Sequence, residues 1–169
     1  MGRTVVIMGN HHDGPEKLFT VEKANAMLPL VRAIASDLAE LSRDVIDRRQ
    51  RLSQLMAHDE EEDQRDPSDP YKSELVQIQD ELEKDARRLQ EYVDELRQLG
   101  VEPKSAPQGL VDFPALMDDR RVYLCWKLGE PEVLYWHELD AGFPGRQPLA
   151  AGTAAQPTDD AGGGESADP

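Results

Sequence analysis

The sequence predicts an α+β protein: a long antiparallel helical hairpin, coiled-coil-like, packed at its base on a small antiparallel β module. Three observations point there. Between residues 18 and 99, apolar side chains recur alternately three and four apart, the spacing of a helical seam. Residues 57 to 71 interrupt that pattern with acid and two prolines, so the helices turn back on each other. Residues 100 to 149 switch to glycine, proline, aromatic and β-branched residues, the composition of short strands and turns.

Each element has its own signals. Residues 1–17 read as a flexible polar lead. Its apolar run, Val5 to Met8, is too short for a signal peptide or a membrane span. The same "VVIMGN" lacks the Gly-Lys-Ser/Thr ending of a phosphate-binding loop, and the adjacent His11 and His12 make at most a weak metal tract. Thr20 is suited to cap the first helix. Its seam is Met27, Val31, Ile34, Leu38, Leu41, Val45, Arg48, Leu52 and Leu55, with Arg48 as the one polar interruption. Pro29 lacks a backbone N–H, which predicts a kink or a break there.

The second helix runs through Leu75, Ile78, Leu82, Asp85, Leu89, Tyr92, Leu96 and Leu99 to a cap at Gly100. Aligning Leu55 with Leu75 sets Arg48 and Asp85, the two seam-breaking residues, in adjacent layers, where they are expected to pair and fix register. The apolar stripe is narrow near Ser42, Asp44, Arg49 and Arg51. It widens toward the base with Ala24, Leu28, Leu30 and Val93. The loop end therefore projects as an arm roughly 40 Å long, while the base packs on the β module.

In "VYLCWKLGEPEVLYWHE" two strands are expected to meet at a two-residue turn, Gly129-Glu130, which pairs Trp126 with Val133 and Val122 with His137. That register sends Cys125 and His137 to opposite faces and leaves Trp126 and Trp136 as structural packing for the helix base. "GLVDF" is expected to add a third, shorter strand. Residues 18–149 thus form one domain, and 150–169, small, polar and glycine-rich, read as a disordered tail.

Composition excludes some functions. A net charge of −15 disfavours nucleic acid and anionic membranes, which are bound through Lys and Arg, and fits either a basic partner or simple solubility. One cysteine permits no internal disulfide and suits a reducing cytoplasm. The candidate ligand-binding residues are His137, Glu138, Asp140 and Arg146. The first three suggest a divalent metal, but "HELD" lacks the second histidine of a zinc-protease helix, and on a strand His137 and Glu138 point apart. No cofactor is therefore predicted, with a metal on His137, Glu138 and Asp140 kept as the alternative. In "GFPGRQP" the turn either presents Arg146 to a carboxylate or phosphate, or pairs Arg146 with Glu138 or Asp140 as a lock. Cys125, mid-strand among bulky neighbours, reads as a small hydrophobe rather than a nucleophile.

Taken in order, "LFTVEKANAMLPLV", "GLVDFPA", "LCWKLGEPEVLYWHE" and "GFPGRQPL" resemble the bacterial family catalogued as domain of unknown function 2203, over about residues 17 to 149. The resemblance implies a small bacterial cytoplasmic protein with Trp126, Tyr135, Trp136, His137, Gly142 and Arg146 inside the family motif. It carries no catalytic residues. The residues themselves favour a non-enzymatic interaction or scaffold protein that binds a protein partner or itself. The alternative is a small ligand- or metal-binding protein or enzyme using the end of the second strand and the Gly-Arg turn.

Overall fold

The computed structural model describes residues 16–59 and 70–150; the acidic link at 60–69, the N-terminal lead through residue 15 and the tail from 151 lie outside them. Two helices, α1 (Val21–Asp59) and α2 (Pro70–Gln98), precede a sheet of five strands in the order β1-β2-β3-β4-β5. The strands are β1 (Glu102–Ser105), β2 (Leu110–Met117), β3 (Arg120–Lys127), β4 (Tyr135–Glu138) and β5 (Gln147–Pro148), each antiparallel to its neighbours. Among the described residues no helix is long and apolar enough to cross a membrane.

The helix ends form as the sequence leads one to expect. Thr20 Oγ1 accepts the Lys23 N–H at 3.2 Å, and its carbonyl accepts the Ala24 N–H at 2.9 Å. At the far end of α2, Gly100 takes φ 86°, which only glycine adopts without strain. Its N–H donates to the Arg97 carbonyl (2.9 Å) and that of Val101 to Leu96 (3.0 Å), the paired bonds of a Schellman cap. Leu96 and Val101, which bracket this cap, are both buried in the core.

The break expected at Pro29 does not occur, since α1 continues through it. Proline removes one bond, the one to the Asn25 carbonyl, and its ring lies on an exposed face. Leu28 and Val31 on either side are buried, so packing holds both sides of the proline in line.

That packing is the core. Ala24, Leu28, Val31, Ile34, Ala35 and Leu38 of α1 meet one face of the sheet, formed by Val111, Phe113, Ala115, Val122, Leu124 and Trp126. Each large side chain so buried contributes about 1.5–3 kcal/mol. Phe19 closes the edge, its ring against Phe113 at 5.2 Å and 78°. Trp136 packs on the same core, so both tryptophans serve the helix base. Farther along the arm, Arg48 and Asp85 pair across the seam at 2.5 Å, as their layer positions require. Beyond them Leu52, Leu75 and Ile78 are only half-buried.

The sheet departs from expectation in three ways. "GLVDF" is not a short third strand: β2 runs on to Met117, and β1 and β5 extend the sheet at both edges. The tight hairpin lies between β2 and β3, where Asp118 and Asp119 take φ 50° and 59°, the type I′ pattern that fits strand twist. Gly129 does not open a two-residue turn.

Instead, Glu130 N–H donates to the Lys127 carbonyl at 3.0 Å with Gly129 third in the turn at φ 104°. The chain then crosses to α1. Arg32 Nη2 donates to the Pro131 carbonyl (2.9 Å), and Asn25 Oδ1 accepts the Val133 N–H (2.8 Å). With residues 128–134 drawn into that loop, β4 pairs one residue out of the expected register: Tyr123 opposes His137, Leu124 opposes Trp136 and Cys125 opposes Tyr135. A one-residue slip moves every side chain of a strand to the other face.

Candidate functional site

The slip puts His137 on the same face as Cys125, where the expected register had separated them. On β2, Asp112 stands directly opposite Cys125. Asp112, Cys125 and His137 thus converge from three central strands on the sheet face turned away from the helices. They are 1%, 0% and 2% exposed. A carboxylate oxygen, the thiol sulfur and an imidazole nitrogen lie within 4.8 Å of one another.

The hydrogen bonds assign the protons. His137 Nδ1 lies 2.7 Å from the Glu138 carbonyl, which can only accept, so Nδ1 carries a hydrogen. Nε2 then faces Asp112 Oδ2 at 3.0 Å. A lone pair aimed at a carboxylate repels it, so one further proton, or a cation, sits between them. The other oxygen, Asp112 Oδ1, is buried without a hydrogen-bond partner among the described residues. Burial, and next the charge of Asp112, push the Cys125 thiol up to about 12, which keeps it protonated and unreactive at neutral pH.

The sequence candidates do not assemble into one site. His137 belongs to the buried cluster. Glu138, on the opposite face, pairs with Arg120 at 3.1 Å, and Asp140 is exposed. Arg146 pairs with neither Glu138 nor Asp140; it forms a two-pronged pair with Glu130, both bonds at 2.7 Å. Its Nη2 also donates to the Cys125 carbonyl at 3.2 Å, and its guanidinium stacks 4.1 Å from the centre of the Tyr135 ring. Burial pulls its pKa down, but the Glu130 hydrogen bond reverses this and the net shift is upward. Glu130 further accepts the Lys127 N–H at 2.8 Å. Arg146 therefore locks the turn after β4 onto the β3–β4 loop. Gly145 permits that turn, since a Cβ there would stand 2.5 Å from the Ala141 Cβ.

Two residues of these networks escaped the sequence reading. Asp112 had a signal: an acid inside the strand run "LVDF", where burial demands a partner. Glu130 had none, because its role depends on where the loop folds.

The family described as "uncharacterized conserved protein (DUF2203)" matches residues 17–149. The chain belongs to the DUF2203 family. The matched span begins beside Phe19 and ends after β5, so it takes in the helices, the sheet, the buried cluster and the Arg146 lock. No curated protein and no solved structure matches the chain.

Proposed function

We propose that this DUF2203 protein is a non-enzymatic interaction protein whose sheet anchors a helical arm, and that the distal arm binds a basic amphipathic segment of another protein. One observation carries the reading. On α1 a second stripe, flanking the seam, passes through Ala35, Ala39 and Ser42, all buried, and continues at the same spacing to Ile46 and, past the polar Arg49 and Ser53, to Met56. At the level of the buried members a 3₁₀ turn, Ala106–Gln108, packs on α1, with Arg43 Nε donating to the Pro107 carbonyl at 2.9 Å. Beyond that turn no described residue covers the stripe fully: Ile46 is 40% exposed and Met56 46%. Charge selects the partner: the chain carries −15, and residues 57–71 hold seven acids against one lysine or arginine.

The reading places the chain in a reducing, aqueous compartment, consistent with its single thiol. A second reading, metal binding at the base, is supported by the buried Asp112–Cys125–His137 set.

The test is affinity capture followed by titration of the purified partner against wild type and Ile46→Lys/Met56→Lys. The expected result is binding weakened at least about tenfold by the double variant and by raised salt. Unchanged binding would overturn the arm as the reading surface. A salt-insensitive homodimer dissolved by the same substitutions would replace the foreign partner with a second copy.

A further inference from the structure

We infer that Asp112, Cys125 and His137 form a binding site for one divalent cation of the zinc class, held between β2, β3 and β4. Three separate features of the cluster favour a metal over a solely structural hydrogen-bond network.

The first is the donor set. Once the metal displaces the thiol proton, one thiolate, one imidazole and one carboxylate within 4.8 Å make a borderline-soft mixture that suits zinc and disfavours magnesium or calcium, which take oxygen ligands. With a thiolate and a carboxylate, a dication gives a buried site of zero net charge. The second is the orientation of the histidine. Its Nδ1–H donates to the Glu138 carbonyl, the outer-shell bond that fixes a metal-bound imidazole and aims the Nε2 lone pair inward. The third is Asp112 Oδ1, a buried oxygen with no partner among the described residues. A cation between the strands satisfies it more strongly than the weak S–H donor of Cys125, which hydrogen-bonds Asp112, and the proton on the Nε2–Oδ2 line does not serve it. Tetrahedral coordination is completed by this oxygen or by a water.

The scaffold supports the assignment. All three residues stand on paired strands, so the donors are pre-positioned rather than gathered from loops. Arg146 bonds to the Cys125 carbonyl and to Glu130, and so fastens the turn after β4 beside the site. Exchange of the ion is therefore slow, and Arg146→Ala accelerates its removal by a chelator. The inference is independent of the arm's partner, since neither Ile46 nor Met56 takes part.

The experiment is metal analysis of the full chain purified under reducing conditions, with X-ray absorption at the zinc edge and cobalt(II) titration of the chelator-treated protein. The expected result is one zinc per chain, with one sulfur at about 2.3 Å and nitrogen or oxygen at about 2.0–2.1 Å. Cobalt should give a tetrahedral spectrum with a sulfur charge-transfer band that Cys125→Ala abolishes, and His137→Gln should weaken binding at least about a hundredfold. Should the variants fail to fold, the absorption spectrum of wild type alone decides. Absence of metal, or zinc bound without a sulfur ligand, overturns the site. In the first case a low-field proton resonance on His137 would identify the shared proton that takes its place.

Discussion

Leu38 and Leu52 occupy the same heptad position of α1, and their surroundings differ. Leu38 is 1% exposed, beneath the sheet; Leu52, farther along the arm, is half-buried. Seam spacing is therefore the same in both halves of the hairpin, and what distinguishes them is the width of the stripe. Where Ala24, Leu28, Ala35 and Ala39 broaden it, a third layer covers the helix. Where Arg49 and Ser53 narrow it, the two helices pack without a third layer among the described residues. Heptad regularity marks where helices meet, and stripe width marks how much else they meet.

The sharpest way to break that comparison is to truncate both leucines. Leu38→Ala should cost about 3 kcal/mol in denaturant unfolding and Leu52→Ala about 1 kcal/mol, because a half-exposed site loses less and leaves no closed cavity. Equal losses would mean that the distal seam is as well covered as the base.

Arg146→Ala should cost about 2 kcal/mol, since it strands Glu130 in a largely buried position. Arg146→Met with Glu130→Gln should recover most of that. If the double variant is no better than the single, the pair is not what holds the turn.

Alkaline pH also separates the halves, because the base buries a titrating thiol and the arm does not. In metal-free protein the Cys125 thiol ionises near 12 when folded and near its ordinary 9.0 when unfolded. The raised folded value means that stability is intact below about pH 9 and falls as pH rises toward 12, by about 1 kcal/mol at pH 10. Cys125→Ala should flatten that slope, and an unchanged slope would contradict the assigned burial.

The smallest effect concerns the one charged layer of the arm. Arg48→Met with Asp85→Leu should leave stability within about 1 kcal/mol of wild type, because desolvation offsets much of the ion pair. Asp85→Leu alone should loosen register, read as a broadened distance between spin labels across the two helices. A sharp, unshifted distance would remove the register role.

Much of this was legible in the sequence, and the illegible parts have physical causes. The helices, the Thr20 and Gly100 caps, the Arg48–Asp85 layer and the widening base all follow from local spacing. The β3–β4 register did not, because Gly129-Glu130 looks like a two-residue turn until Arg32 and Asn25 of α1 draw the loop across. Those contacts span about a hundred residues, beyond any local pattern. The site followed the register. In the register of a two-residue turn, His137 and Cys125 stand on opposite faces and the acid in "LVDF" lacks the partners that give it meaning. The glycine-proline turn carrying Arg146 is legible as a candidate lock, but the partner it takes, Glu130, comes from the same misplaced loop.

Amide hydrogen exchange along α1 tests the division of the molecule most directly. The account predicts that residues 28–39 exchange only through global unfolding, while residues 46–56 open at a free energy several kcal/mol lower. Uniform protection along α1, with the distal turns as slow as those beneath the sheet, would contradict it.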